Sequence, residues 1–270
     1  MVGEHAIYNG QVILTSEAVM PITCREVQSG FYVYESLRII DSYPVHLQDH
    51  LERLAHSAEG IGLSYTVGDE DFSSWIMKLI EVDSIEQASL RIQMYGGPVS
   101  HVFITASKIL TYPDSYYSDG VGAISYRGER LFSSSKTGNL LLNYVALERA
   151  KAQGCFEALL VDGKNRVLEG TRSNFYAIKE NTLYTASDEL VLQGITRQRV
   201  LRSADILGLS VQYEAPDLQA LHENYYDEIF ISATSMAAMP LCSLDGISYG
   251  SDFKRTLAIK AQVRAWDRED

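Results

Sequence analysis

The sequence predicts a mixed α/β protein, α+β or α/β in class, and three observations carry that reading. Short segments rich in β-branched and aromatic residues recur from Ala6 to Ser232. Between them lie longer segments whose apolar residues repeat at helical spacing. Gly, Asn and Asp turn signals separate the two kinds of segment, and no internal repeat organises them. With 46% hydrophobic and 21% charged residues, the 270-residue chain is too apolar for disorder and long enough for two compact domains. Its 23 Lys and Arg against 35 Asp and Glu give a formal charge of -12, which argues against a nucleic-acid partner. A local phosphate site remains compatible with that charge, because a helix N-terminus and a few basic groups suffice.

The first part opens on a hairpin, Ala6 to Tyr8 and Gln11 to Leu14 around Asn9-Gly10. Tyr32 to Ile40 reads as a strand ended by the turn Asp41-Ser42-Tyr43-Pro44. From Leu47 the apolar positions Leu51, Leu54, Ala55 and Ala58 predict a helix, stopped by Gly60 and Gly62. A second helix is expected over Phe72 to Val82. Paired strands follow, Arg91 to Tyr95 and His101 to Ala106, before a polar connection from Tyr112 to Gly120.

The second part begins with a strand near Val121 to Tyr126, a serine-rich approach to Lys136 and a helix from about Asn139 to Gln153. Phe156 to Val161 with Arg166 to Leu168, and Asn174 to Ile178 with Thr182 to Thr185, read as two hairpins. A helix opens at Gly194-Ile195-Thr196 and ends at Gly208, and Tyr226 to Ser232 is a further strand. The expected division is an N-terminal domain over 1–112, an interdomain loop over 113–119 and a C-terminal domain over 120–270.

Cys24, Cys155 and Cys242 are odd in number and widely spaced, which suits neither a disulfide framework nor a zinc site and points to a reducing cytoplasm. The first ten residues lack the pattern of an export signal, and no apolar run approaches a membrane span; neither export nor insertion is expected. His46 and His50 stand four apart on a helix without the glutamate of a zinc-protease motif, so no metal is expected. Walker A, dinucleotide and serine-elbow motifs are missing too.

Five places remain where chemistry could reside. Lys136 lies between Ser133-Ser134-Ser135 and Thr137-Gly138-Asn139, small residues that let a ligand approach. A lone lysine is ordinarily a solvated one, but an amine held in a pocket loses solvation of its charged form and becomes a better nucleophile toward a carbonyl. Glu169, in Leu168-Glu169-Gly170-Thr171, reads locally as a turn carboxylate. Gly194-Ile195-Thr196 presents helix N-terminal N–H groups suited to an anion. Thr234 either adds a hydroxyl to that anion or caps a following helix. Arg53 falls outside the Leu47/Leu51/Leu54/Ala58 stripe and faces solvent unless a ligand or second domain covers it.

Taken in order, Val33-Tyr34-Glu35-Ser36-Leu37-Arg38, His50-Leu51-Glu52-Arg53-Leu54, Lys136-Thr137-Gly138-Asn139-Leu140, Phe156 to Asp162, Glu169 with Ser173-Asn174-Phe175, Gly194-Ile195-Thr196-Arg197, Asp227-Glu228-Ile229-Phe230 and Leu244-Asp245-Gly246 resemble the fold-type-IV pyridoxal-phosphate enzymes. These are the branched-chain and D-amino acid aminotransferases and the aminodeoxychorismate lyases, and the resemblance covers most of the chain. It implies a smaller N-terminal α/β domain, a larger C-terminal α/β pseudo-barrel, a homodimer and pyridoxal 5'-phosphate as cofactor. Lys136 would carry the cofactor as a Schiff base and move the substrate's α-proton. Glu169 would pair with the pyridine nitrogen, while Arg53, the N–H groups of Ile195 and Thr196, and Thr234 would hold the phosphate.

By the same resemblance Tyr34, Arg38, Leu140 and Ser235 border the substrate. Leu140 matches D-amino acid enzymes, and Arg38 points toward branched-chain ones. The implied reaction is transamination between an amino acid, D-alanine favoured, and a 2-oxo acid. A branched-chain L-amino acid aminotransferase and an aminodeoxychorismate lyase are the alternatives. Two departures stand out. Gly30-Phe31-Tyr32 replaces a glycine-aspartate-glycine, adding aromatic bulk near the expected pocket. The arginine that D-amino acid aminotransferases carry near the Gly96 to His101 segment is absent, which leaves carboxylate recognition unassigned.

Overall fold

The computed structural model describes residues 2–267. Two compact units emerge: the residues up to Leu110 together with Ser135–Asn139, and Thr111–Ser134 together with the residues from Leu140 onward. The five-residue segment around Lys136 thus belongs with the first unit, although its neighbours in sequence belong to the second.

In the first unit, strands β1 (His5–Tyr8), β2 (Gln11–Leu14), β3 (Tyr32–Ile40), β4 (Tyr43–Pro44), β5 (Ala88–Tyr95) and β6 (His101–Ser107) form one sheet in the order β2-β1-β6-β5-β3-β4. Each neighbouring pair is antiparallel. Alternation along the strands sends Val33, Leu37, Ile92, Met94, Val102 and Ile104 to one face. There they meet Leu51, Leu54 and Ala58 of one helix and Phe72, Ile76 and Leu79 of another. A short helix, α1 (Arg25–Ser29), precedes β3; the two that cover the sheet are α2 (Leu47–Gly60) and α3 (Asp69–Val82).

Helix α3 starts earlier than its apolar pattern suggests. Asp69, Glu70 and Asp71 form an acidic first turn that suits the helix dipole, and the Asp71 carboxylate accepts from the Gly68 N–H. The turn before β4 is tighter than expected: Asp41 and Ser42 take positive φ, and Tyr43-Pro44 already pairs with Ile40-Ile39.

Residues 113–119, which the sequence predicts to be a loop, contain the helical turn α4 (Ser115–Ser118). Its Tyr117 is buried in the second unit's core and donates its hydroxyl to the Met236 carbonyl. The strands of this unit are β7 (Val121–Arg127), β8 (Glu157–Val161), β9 (Val167–Gly170), β10 (Asn174–Lys179), β11 (Thr182–Tyr184), β12 (Ser210–Gln212), β13 (Glu228–Ala233), β14 (Ala237–Leu244) and β15 (Ile247–Ser248). They pair as β12-β11-β10-β13-β14-β7-β8-β9, with β15 on β14.

One further pairing, Asn174 with Glu169, joins β10 back to β9, so β10, β13, β14, β7, β8 and β9 close into a six-stranded ring. Alternate residues of every ring strand, among them Ala123, Leu159, Val167, Phe175, Ile231 and Met239, fill a single cluster, as a small barrel requires. The outward residues pack under helices. Ile124, Ala158 and Leu160 meet α5 (Leu141–Ala152). Tyr176, Ile178 and Phe230 meet α6 (Ile195–Ile206) and, after the short α7 (Leu218–His222), the terminal α8 (Lys254–Trp266). The pseudo-barrel expected from the family resemblance is present.

Candidate active site

In the first unit the polar residues gather around α2. After the N-cap residue His46, His50, Arg53 and Ser57 recur at intervals of three and four, one stripe of the helix beside its apolar one. Opposite them, β3 carries Glu35 on its core-facing side between Val33 and Leu37, where a charge must be paired to be tolerated. Arg53 supplies the pairing: its Nε and Nη2 donate to the two Glu35 oxygens at 2.7 Å each. The His50 ring nitrogen Nδ1 lies 2.7 Å from Glu35 Oε2. Burial pushes the Glu35 carboxyl upward, but Arg53 and His50 outweigh it and hold the group below the usual carboxylate range. Arg53 is therefore an interior residue, its side chain only 9% exposed. The helical stripe alone placed it in solvent because the buried carboxylate on β3 is not visible from α2's own sequence.

Ser57 completes the stripe by accepting the Lys136 backbone N–H at 2.9 Å. The Lys136 carbonyl accepts from Tyr34 N at 3.0 Å, Gly138 N donates to the Tyr32 carbonyl at 2.8 Å, and Thr137 bridges to Val33. Ser135–Asn139 is thereby laid along β3 as an extra edge. The Lys136 ammonium sits 4.6 Å from the centroid of the Tyr34 ring. Of the two aromatic residues in the altered element, Phe31 packs toward Gly96 and Leu63 in the core rather than adding bulk to a pocket. Tyr32 lies against Gly138 and pairs with Tyr95 at 4.6 Å. A Cβ at Gly138 would collide with the Tyr32 ring at 2.1 Å, which explains the glycine there. Arg38 shares with Tyr34 the sheet face opposite the helices, two strand periods along β3.

In the second unit Glu169 is buried on β9. Its Oε1 accepts from Arg130 Nη1 at 3.2 Å and its Oε2 from the Leu192 N–H at 3.3 Å. Arg130 was not singled out by the sequence; only the fold shows that the residue six positions before Lys136 reaches Glu169. The turn after Glu169 hangs on a second buried carboxylate, Glu157, which accepts from the Thr171 and Ser173 hydroxyls and two backbone N–H groups. Glu169 is thus a strand residue held on both sides of its strand end, not the turn carboxylate its local sequence suggests.

Helix α6 begins at Ile195 with Gly194 as N-cap, and no side chain caps it. Asn174 Oδ1 lies so close to Gly194 that a Cβ would meet it at 2.4 Å. Arg197, 1% exposed, anchors the helix start from below, donating to Thr185 Oγ1, the Ala186 carbonyl and Asp188. Thr234 and Ser235 form the tight turn between β13 and β14, and their carbonyls accept from Arg264 of α8 at 3.2 and 2.9 Å. Of the two readings of Thr234, the helix cap is excluded because a strand, β14, follows the turn; the anion contact remains the expectation. Ser235 Oγ is 3.4 Å from the Tyr112 hydroxyl. Leu140 is the residue before α5.

Amino acids 32–244 match the family model for class IV aminotransferases. The chain is 32% identical over 258 residues to a D-alanine aminotransferase of Bacillus licheniformis, covering 91% of this chain and 90% of that one. It is 30% identical to a D-alanine aminotransferase of Listeria monocytogenes, covering 98% and 95%. Among solved structures, a branched-chain aminotransferase of Thermoproteus uzoniensis superposes with a TM-score of 0.89 at 23% identity, over 99% of this chain and 96% of that one. The branched-chain enzyme of Escherichia coli gives 0.86 at 22%, over 96% and 92%.

The chain belongs to the class IV aminotransferase family. Its cofactor is pyridoxal phosphate, and its substrates are an amino acid and a 2-oxo acid. Each unit carries donors that suit that cofactor: the first an amine on a pinned segment, the second a buried carboxylate able to accept from a ring N–H and a helix N-terminus that no side chain caps among the described residues.

The pairing of Arg53 with Glu35 determines what its removal should do. Arg53→Ala leaves Glu35 and His50 buried without their cation, so we expect a stability loss of about 3–5 kcal/mol, read as a lowered melting temperature of the apoprotein. Arg53→Lys keeps the charge and loses the two-pronged geometry. Its affinity for pyridoxal phosphate should fall by about one to two decades, while that for pyridoxal, which lacks the phosphate, changes little. Equal losses for the two vitamers would overturn the expectation that Arg53 holds the phosphate.

Proposed function

We propose that this chain transfers the amino group of a D-amino acid, D-alanine foremost, to a 2-oxo acid, and works as a homodimer in the cytoplasm. The observation that carries the substrate is the identity of 30–32% to D-alanine aminotransferases over more than nine-tenths of the chain. Leu140, standing where D-amino acid enzymes carry leucine, agrees with it. Three free cysteines suit a reducing compartment.

The residue roles follow the chemistry of each group. Bound pyridoxal phosphate supplies an electron sink for the bond broken at the substrate's α-carbon. Lys136 Nζ would hold the cofactor covalently between turnovers and carry the proton to and from that α-carbon. The Tyr34 ring beside the amine limits its directions of approach. Glu169 would keep the ring nitrogen protonated, and its bonds from Arg130 and Leu192 fix where its oxygens point. Arg53, the Ile195 and Thr196 N–H groups and the Thr234 hydroxyl would hold the phosphate. Tyr34, Arg38, Leu140 and Ser235 would border the substrate.

Purified holoprotein mixed with D-alanine and 2-oxoglutarate should form pyruvate, at a rate well above that of 2-oxo acid formation from L-leucine. Pyruvate released from aminodeoxychorismate without an amino acceptor would instead mark a lyase. A preference for L-leucine would overturn the D-amino acid assignment.

A further inference from the structure

A transaminase must hold the substrate's carboxylate as well as its amino group, and no arginine occurs in the Gly96 to His101 segment to do so. The sheet of the first unit offers another. The face of β3 and β5 turned away from α2 and α3 carries Tyr34, Ser36 and Arg38 on one strand and Arg91, Gln93 and Tyr95 on the next, with Ser36 opposite Arg91 and Tyr34 opposite Gln93. The Arg91 guanidinium carbon lies 4.1 Å from the centroid of the Tyr34 ring, the same ring that Lys136 Nζ approaches at 4.6 Å. One tyrosine therefore has the reactive amine and a guanidinium as its immediate neighbours.

Arg91 is half-buried, and its guanidinium has no hydrogen bond or ion pair among the described residues. The other arginines drawn into the polar network have committed carboxylates: Arg53 has Glu35, Arg130 has Glu169, Arg197 has Asp188. A half-buried guanidinium lying against a ring face retains its planar fork of donors, which matches a carboxylate in two-pronged fashion. The α-carboxylate of an amino acid is one carbon from the amino group, so its cation must stand close to the lysine that handles that amino group. Arg91 meets this condition through Tyr34.

We propose that Arg91 binds the α-carboxylate of the substrate, with the Tyr34 ring as the platform that fixes the guanidinium plane. The proposal rests on the transaminase reading and deepens it, and its test does not depend on turnover.

Holoenzyme is titrated with propionate, an unreactive carboxylate, following the visible absorbance of the cofactor. Arg91→Gln should weaken propionate about 10- to 100-fold and Arg91→Lys by an intermediate factor, with the unliganded spectrum and melting temperature retained. With D-alanine the loss should appear as a raised KM more than a lowered kcat. Unchanged propionate affinity in Arg91→Gln, a fall in kcat at constant KM, or a loss confined to D-glutamate would each overturn the assignment. Wild-type protein that binds propionate through Arg91 yet leaves D-alanine untouched would sink the donor assignment alone.

Discussion

Lys136→Ala should abolish turnover of D-alanine while leaving the fold intact. The anchoring of its segment runs through backbone atoms: Lys136 N to Ser57 Oγ, Tyr34 N to the Lys136 carbonyl, Gly138 N to the Tyr32 carbonyl. Alanine keeps all three, so the melting temperature should move little. The side chain's loss removes two functions at once, the covalent hold on the cofactor and the proton carrier at the α-carbon. Loss of a general acid–base group alone costs about 10²–10⁴ in rate, and the double role places the expected deficit at or beyond the upper end. Single-turnover conversion of D-alanine to pyruvate measures it. Borohydride reduction of the wild-type holoprotein, followed by peptide mapping, should place the cofactor's mass on Lys136. A label on Lys108 or Lys151, or a Lys136→Ala protein that turns over at the wild-type rate, would refute the assignment.

How much of this was readable in the sequence differs between fold and site. Strand β3 and helix α2 were legible to the residue or nearly so, because each carries an unbroken period, two in one case and 3.6 in the other. The closing pair of the barrel was not. Asn174 opposite Glu169 is a single contact between short strands that are buried along nearly their whole length, and runs without alternation leave pairing partners unspecified. Strand β14 was missed for the same reason: Ala237 to Leu241 is buried without interruption, so no polar–apolar rhythm announces it.

At the site, the sequence located groups and could not locate their partners. Lys136 stood out by its small neighbours, yet its placement beside β3 is a long-range pairing with nothing local to signal it. Arg53 was assigned to solvent by its own helix, while the carboxylate that draws it inward sits eighteen residues earlier on a strand. The stripe His50, Arg53, Ser57 was a usable signal: polar residues at helical spacing alongside an apolar stripe imply a second buried face. Arg91 carried no such mark, since a strand that alternates polar and apolar residues looks the same whether its polar face meets water or substrate.

Glu169→Gln should slow the half-reaction with D-alanine by a hundredfold or more, about the size seen when one preorganised electrostatic contact is lost at a reacting centre. Glutamine keeps the size of the side chain and one acceptor for the Leu192 N–H or Arg130. What disappears is the negative charge that favours a protonated ring nitrogen, and with it the pull on the electron pair released at the α-carbon. That need arises mainly as the α-proton leaves, so the deficit belongs to the rate and not to cofactor affinity. The structure adds one complication. Arg130 is only 10% exposed, and losing its carboxylate partner should also lower the melting temperature of the variant. Arg130→Met separates the two effects, because it removes the ion pair and leaves the Glu169 charge. If Arg130→Met lowers stability as much as Glu169→Gln while keeping the half-reaction rate, the charge on Glu169 is what the chemistry uses. A Glu169→Gln protein that binds pyridoxal phosphate and transaminates at the wild-type rate would reduce Glu169 to a partner for Arg130, and the ring nitrogen would need another carboxylate.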